Sequence, residues 1–214
     1  MIMGSGPGRT AIPSGAVTVS RSAADSPPPT TVVVMGVSGA GKSVIAEALA
    51  ESTGWTMAEG DDFHPPASVA KMRSGQPLDD EDRWAWLRAI ADWIGDQEQA
   101  GLSSVVTCSA LKRGYRDLLR EGHPSVGFCQ LDASTATLAS RIEARPDHYM
   151  PAALLQSQLG ALESLQDDEP GGRVNAESDV PTVLRRVLEV LARDTAQPSV
   201  DSPVRDPATT REAS

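Results

Sequence analysis

The sequence predicts a three-layer α/β fold in which a five-stranded parallel sheet carries helices on both faces. Short apolar runs of strand length alternate along the chain with longer segments whose apolar residues recur at helical spacing. The first of these runs, residues 32–35, leads through a glycine-rich stretch directly into such a segment. Strands that alternate with helices indicate parallel pairing, because each crossover returns the chain to the same end of the sheet.

The predicted elements follow one another with short connections. A weak second strand covers residues 55–59, and Asp79 or Asp80 can cap a long helix at 81–99, whose tryptophan stripe is assigned to the core. Asp132 is the predicted cap of a helix at 133–143. The other predicted strands are 104–108, 126–131 and 173–176. The other predicted helices are 67–73, one that follows residues 109–113 and ends at 120, 151–163 and 180–191.

Composition divides the chain into a folded unit at residues 31–193 and two tails, 1–30 and 194–214, which are poor in large apolar residues and are predicted to be disordered. The formal charge of 19 − 29 = −10 disfavours nucleic acid and anionic membranes as partners. No apolar run approaches the roughly 20 residues of a membrane span. Cys108 and Cys129 lack metal-ligand spacing and are predicted to be reduced thiols, as expected for a cytoplasmic protein.

Residues 36–43 match the phosphate-binding P-loop, placed between a buried strand and a helix. Backbone N–H groups approach a triphosphate closely only where no side chain intervenes, and the following helix directs its positive dipole end at the phosphates. Lys42 is predicted to reach the β- and γ-phosphates of ATP, and the Ser43 hydroxyl to bind Mg²⁺. The predicted cofactor-binding residues are Gly36, Val37, Ser38, Gly39, Ala40, Gly41, Lys42 and Ser43.

Missing motifs narrow the class of P-loop protein. The chain has no Asn-Lys-x-Asp guanine-binding motif, since its one asparagine, Asn175, precedes an alanine. No ABC-type signature is present either. A P-loop at the very start of a single-domain unit favours a kinase of small metabolites or nucleotides.

Five further motifs resemble the gluconokinase family. They are GDDFHP at 60–65, KMRSGQPL at 71–78, DEDRWAWL at 80–87, CSALKRGYRD at 108–117, and SQL at 157–159 followed by Leu-Glu at 162–163. The resemblance spans about residues 32–191. It implies ATP-dependent phosphorylation of the 6-hydroxyl of D-gluconate on a nucleoside-monophosphate-kinase-like fold with a lid, commonly as a homodimer.

The acceptor side needs a carboxylate that orients or deprotonates the hydroxyl close to the γ-phosphate. Asp61, predicted at the carboxyl end of the second strand beside the P-loop, is the candidate, either as general base or as a second-shell partner of Mg²⁺. The alternative role for Asp61 is a cap in a polar turn. The resemblance aligns the residue directly after Gly60, and therefore favours Asp61 over Asp62. Lys42 and Asp61 are accordingly predicted to be catalytic.

Gluconate carries hydroxyl groups and a carboxylate, so its pocket needs hydrogen-bonding groups and a cation. His64, Lys71 and Arg73 surround the loop and helix that follow Asp61, and are predicted to bind the substrate. For His64 the alternative is a structural hydrogen bond. Lysine is scarce in this chain, which favours a functional role for Lys71.

Arg141 and Arg145 are four residues apart, and therefore share one helix face. In kinases of this type such a pair belongs to a lid, here predicted at about 141–163, that closes over the phosphates and neutralises transition-state charge. Both arginines are predicted to be catalytic, and His148 is predicted to join them on the substrate side. The alternative is an exposed helix whose arginines pair with nearby acids.

Two further pairs follow the third strand. Ser109 and Lys112 have either a substrate-side or a structural role, and the sequence does not decide between them. Arg113 and Arg116 are predicted to be solvated helix charges.

Two other functions stay open at this point. One is a related small-molecule kinase that uses shikimate or adenylyl sulfate. The other is a nucleotide-binding regulatory module without catalysis, although such a module would not need an acceptor-side carboxylate.

Overall fold

The computed structural model describes residues 28–74, 76, 78–144 and 152–194, without the side chains of residues 73, 152–154 and 194. Five strands form one sheet: β1 Thr31–Met35, β2 Thr56–Ala58, β3 Ser104–Cys108, β4 Val126–Asp132 and β5 Gly171–Asn175. Seven α-helices connect or flank them: α1 Lys42–Thr53, α2 Pro66–Arg73, α3 Asp80–Gln99, α4 Arg113–Arg120, α5 Thr135–Glu143, α6 Ala152–Ala161 and α7 Val180–Asp194. A single 3-10 turn, Gly60–Phe63, follows β2.

The sheet is parallel throughout, with strand order β2-β3-β1-β4-β5. In the register of the sheet, Met35 lies opposite Cys108 on one side and Gln130 on the other. The carboxyl ends of the three central strands therefore meet at one edge. The predicted fold class is confirmed, and in open parallel sheets of this class ligands bind at the carboxyl ends of the strands.

Strand β1 is fully buried because both faces of the sheet are covered. Val32 and Val34 belong to an apolar cluster with α1, α5, α6 and α7. Val33 and Met35 belong to a second cluster, with α3 and α4 on the other face. Successive side chains of a strand point to opposite faces, so a run of apolar residues is what a central strand of a three-layer protein requires.

The ends of the helices show where local sequence rules hold. Asp79 caps α3 in a capping box with Asp82, as the sequence predicts. The cap predicted for α5 was wrong: Ser134 accepts from the Thr137 amide, whereas Asp132 ends β4 and pairs with Arg173. Ser134 caps α5 because Asp132 is still part of β4, which extends one residue beyond the end predicted from its apolar run.

One predicted surface charge was wrong. Arg116 is completely buried, and its guanidinium forms a bidentate pair with Glu169, with Nε–Oε1 at 2.5 Å and Nη2–Oε2 at 2.8 Å. The neighbouring Arg113 remains half-exposed and pairs with Asp168. A buried charge is tolerated only when it is paired and hydrogen-bonded, and a partner 53 residues away cannot be read from helical spacing.

Most of the predicted tails lies outside the described residues, apart from residues 28–30 and 194. Residues 28–30 lead into β1, where the Thr30 carbonyl accepts from the Ser104 amide at 2.9 Å. Within the described part of the chain, no helix has the length and apolar character needed to cross a bilayer.

Candidate active site

The P-loop, residues 36–43, joins β1 to α1 at the carboxyl edge of the sheet. Gly41 directly precedes α1 in the left-handed region, with φ of 97°, and a Cβ on Gly39 would meet the Leu138 carbonyl oxygen at 2.8 Å. Only glycine combines these backbone angles with such close approach. The first turn of α1 consequently presents its backbone N–H groups at the loop, as an anion-binding site requires.

Lys42 is the first residue of α1, and its side chain folds back over the loop. The Nζ atom donates to the Val37 carbonyl at 3.3 Å. This contact holds the Lys42 ammonium group against the backbone of the P-loop.

Two side chains from later elements contact the P-loop. Gln158 of α6 accepts from the Ser38 amide through Oε1 at 2.8 Å. Arg141 of α5 donates to the carbonyls of Gly39 and Ala40 at 3.5 and 3.4 Å, and to Ala176 at 2.7 Å. Arg141 was singled out from the sequence, whereas Gln158 was noticed only as part of a family motif.

Gly60 fixes the backbone immediately before Asp61. Its amide donates to Thr107 Oγ1 at 3.0 Å, and its carbonyl accepts from Trp86 Nε1 at 2.6 Å. A Cβ on Gly60 would lie 1.9 Å from the Thr107 carbonyl oxygen, so this residue must be glycine for the turn to press against β3. Trp86 was assigned to the core from its spacing; it is buried, but it also holds this turn.

Asp61 lies in the 3-10 turn, with its side chain 85% exposed. Lys42 and Asp61 both act electrostatically on the Cys108 thiol at the end of β3. Burial raises the pKa of that thiol to about 12, while the Lys42 charge lowers it and the Asp61 charge raises it. The backbone gives the geometry: the Gly36 amide donates to the Ser109 carbonyl at 3.4 Å and the Gly60 amide donates to Thr107 Oγ1 at 3.0 Å, so the start of the P-loop and the residue before Asp61 both contact the carboxyl end of β3.

His64 follows directly after the 3-10 turn. Its ring stacks on the Trp86 ring with 4.4 Å between centroids and 14° between planes, and its side chain is 5% exposed. Its Nε2 lies 3.9 Å from Asp61 Oδ1. Burial lowers the pKa of His64 below its ordinary value, and the Asp61 carboxylate offsets part of this effect.

The surroundings of the other ring nitrogen of His64, Nδ1, differ from those of Nε2. Among the described residues, Nδ1 is buried without a hydrogen-bond partner. An open cleft of about 680 Å³ lies beside it, lined by His64, Pro66, Val69, Ala70 and Ser74. That volume falls in the range of small-molecule sites.

Lys71 projects from α2 toward the start of α3. Its Nζ lies 2.6 Å from Asp82 Oδ2 and 3.5 Å from Asp79 Oδ2, and the hydrogen bond to Asp82 raises the pKa of Lys71. Lys71, the cation predicted to bind the substrate, therefore also pairs with both aspartates of the α3 capping box. Arg73 is the last residue of α2, and its side chain lies outside the described part of the structure.

A second polar group surrounds Asp80, the first residue of α3. Asp80 accepts from Lys112 Nζ at 3.0 Å, from Tyr115 Oη at 2.7 Å and from Arg83 at 3.3 Å. The structure thus gives Lys112 a role in joining α3 to the turn after β3. Arg145 and His148 lie outside the described residues, as does part of the predicted lid.

The chain resembles known proteins over most of its length. A sequence model of the AAA domain family matches residues 32–165. A gluconokinase of Gluconobacter oxydans is 49% identical over 160 residues, covering 75% of this chain and 90% of that protein.

Solved structures agree with this relationship. A sugar kinase from Janibacter superposes with a TM-score of 0.73 at 49% identity, covering 77% of this chain and 95% of that one. A gluconokinase from Sinorhizobium meliloti superposes with a TM-score of 0.70 at 44% identity, covering 78% and 93%. An APS kinase from Mycobacterium tuberculosis and a shikimate kinase from Aquifex aeolicus share the fold alone, with TM-scores of 0.54 and 0.52 at 16% and 15% identity. The chain therefore belongs to the gluconokinase family.

Proposed function

We propose that this protein transfers the γ-phosphoryl group of ATP to the 6-hydroxyl of D-gluconate, giving 6-phospho-D-gluconate and ADP. The observation that carries the proposal is that the P-loop and the turn of the exposed Asp61 carboxylate contact the same end of β3, through the Gly36 and Gly60 amides. An open surface cleft lies next to His64, along α2. The relatives are named gluconokinases and have high sequence identity to this chain, which supports D-gluconate as the acceptor.

The nucleotide half of the reaction falls to the P-loop. The amides of residues 36–43 bind the phosphates, and Lys42 neutralises charge on the oxygens of the transferred group. Arg141 supports the loop through its bonds to Gly39 and Ala40, and Arg145 is proposed to act with it over the phosphates. This arrangement positions the γ-phosphate toward the acceptor cleft.

Mg²⁺ is the proposed metal, with Ser43 and Asp61 as the protein groups that hold it. Among the residues described by the structure, no group of three or more His, Cys, Asp and Glu side chains could bind a metal. Mg²⁺ in such sites needs only one or two protein groups, because phosphate oxygens and water supply its other ligands. When bound, the ion shields the charge of the β- and γ-phosphates.

On the acceptor side, Asp61 receives or orients the proton of the 6-hydroxyl. His64 is proposed to bind a gluconate hydroxyl, because its side chain lines the cleft beside Asp61. Lys71, with Arg73 and His148, is proposed to bind the sugar acid, and for this the Lys71 ammonium must share its bonds with Asp82. Phosphoryl transfer then depends on positioning, since the protein forms no covalent bond with the group transferred.

The experiment that tests the function is coupled ADP release over a panel of acceptors. Turnover with gluconate, and little with shikimate or adenylyl sulfate, is the expected result. Strong turnover with shikimate and none with gluconate would reject the proposal in favour of a related kinase. ATP binding without turnover on any acceptor would favour a regulatory module.

The role of Asp61 has its own test. Asp61→Asn keeps the size of the side chain but removes the charge, so we expect normal ATP binding and a fall in kcat of at least about a hundredfold. Asp62→Asn, at the next position of the same turn, is the matched control and should retain the wild-type rate. An unchanged rate in Asp61→Asn would remove this residue from the mechanism.

The domain boundaries and the assembly state also remain proposals. We infer a kinase domain at 31–193, with a lid at about 141–163. We also infer a homodimer, as the resemblance to the gluconokinase family implies. Limited proteolysis followed by mass spectrometry tests the boundaries. Light scattering at several concentrations tests the dimer.

A further inference from the structure

The turn at residues 109–112, directly after β3, has an unusual backbone. Ala110 has φ of 41°, the one positive φ of a non-glycine residue in the described chain, and it is completely buried. A residue with a Cβ adopts such an angle only when its surroundings over-determine it. The contacts that hold this turn are therefore informative.

Arg116 is the main contact from the α4 side. Its buried guanidinium donates through Nη1 to the carbonyl of Ala110 at 3.2 Å and to that of Glu163 at 2.9 Å. The other edge of the same group is held by Glu169, at 2.5 and 2.8 Å. The Arg116 guanidinium thus connects the turn at 109–112 to the segment at 163–169, which follows α6.

The segment at residues 163–169 reaches the turn from the opposite side. The Glu163 amide donates to the Leu111 carbonyl at 2.8 Å. The Glu163 carboxylate accepts from the Arg113 amide at 2.6 Å. Leu111, Arg113 and Arg116 are in this way all bonded to Glu163, which lies about 50 positions later in the sequence.

Each end of the turn contacts one half of the candidate site. The Ser109 carbonyl accepts from the amide of Gly36, the first residue of the P-loop, at 3.4 Å. Lys112, at the other end, bonds to Asp80 at the start of α3. The turn consequently spans from the nucleotide side to the elements that carry Lys71 and its partners.

We propose that the buried Arg116–Glu169 pair is a positioning element that fixes the turn at 109–112, and through it the placement of the acceptor side relative to the P-loop. The proposal rests on the proposed phosphoryl transfer, because that reaction requires the hydroxyl and the γ-phosphate to be aligned. Arg116 itself touches no reactant. Its loss should lower kcat and raise KM for gluconate, and should change ATP affinity less, because Arg116 bonds to Ala110, Glu163 and Glu169 and the turn meets the P-loop through a long 3.4 Å bond from Gly36 to Ser109.

The test must separate positioning from stability. The double variant Arg116→Met/Glu169→Leu replaces the ion pair with apolar side chains of similar size, an exchange that often preserves stability. We expect a folded protein with a lowered Tm, because the Ala110 and Glu163 carbonyls lose their donor, together with an ATP Kd within about twofold and kcat/KM for gluconate reduced at least about tenfold. Arg113→Met is the control, because it removes a guanidinium of α4 that bonds to Asp168 and lies 3.8 Å from Glu169, but does not bond to the Ala110 carbonyl.

A folded double variant with wild-type kcat/KM would overturn the proposal. If the double variant does not fold, Arg116→Lys is the second variant. It keeps a positive charge beside Glu169 but removes the planar guanidinium that bonds to the Ala110 and Glu163 carbonyls. The same kinetic loss is expected. Wild-type kinetics in that variant would equally refute the inference.

Hydrogen exchange gives a readout that does not depend on the substrate. We expect the amides of residues 109–113 to exchange faster in the double or lysine variant than in Arg113→Met, and equal protection would count against the positioning role. If the wild-type protein fails to phosphorylate gluconate, the proposed function fails, while the exchange data still decide whether Arg116 holds the turn.

Discussion

Replacing Gly60 with alanine is expected to displace Asp61 from the P-loop. The new Cβ would lie 1.9 Å from the Thr107 carbonyl oxygen, and Cβ atoms essentially never approach another atom within 3.0 Å, so the two must separate by about 1.1 Å. The Thr107 atom belongs to the backbone of a central strand, and cannot rotate away. The 3-10 turn must move instead, which strains the 2.6 Å bond between Trp86 Nε1 and the Gly60 carbonyl.

The size of this shift sets the expected losses. Overpacking of a buried contact costs about 1–3 kcal/mol of the free energy of unfolding. A misplacement of about 1 Å at a reacting group lowers kcat by about a hundredfold. We therefore expect Gly60→Ala to show a Tm lower by several degrees and a kcat lower by about two orders of magnitude, with ATP affinity close to wild type.

Differential scanning fluorimetry and coupled ADP release with gluconate measure the two losses. Gly114→Ala is the matched control, since its Cβ would meet nothing nearer than the Trp84 ring at 3.7 Å and alanine favours the helix it occupies. That variant should be as active as wild type and no less stable. Wild-type kcat in Gly60→Ala would refute the reasoning that this close approach positions Asp61.

Three further predictions concern single side chains. Lys42→Met should lower kcat by about 10²–10³-fold with an unchanged Tm, because it removes charge from the transferred group; an activity within tenfold of wild type in the ADP-release assay would contradict this. Arg141→Met should raise KM for ATP about tenfold through the lost bonds to the P-loop carbonyls, as initial rates at varied ATP would show; an unchanged KM would argue against that support. Burial lowers the pKa of His64, so the unfolded chain takes up a proton that the folded chain resists, and stability should fall as the pH drops below about 6.5. Urea titrations at pH 5 and 7.5 should show this loss in wild type and a smaller loss in His64→Gln; equal losses would contradict the assignment.

Sequence reasoning succeeded where the signal is carried by neighbouring residues. The glycine spacing of the P-loop and the apolar run of β1 specify their own backbone, so the strand, loop and helix could be placed before the structure was known. Element boundaries were less certain: β5 begins at Gly171, two residues before the predicted start, because glycines with poor strand propensity pair with β4 there. The predicted cap of α5 was wrong because several polar residues precede that helix, and any of them could have capped it.

What the sequence by itself determined is therefore the three-layer parallel sheet, the phosphate-binding loop and the family. What only the tertiary structure decided is which distant side chains complete the site. Gln158 reaches Ser38 across 120 residues, Trp86 reaches Gly60 across 26, and the buried pair of Arg116 spans 53. Periodicity and propensity describe residues a few positions apart, whereas these contacts exist only because the packing of helices on the sheet brings their elements together.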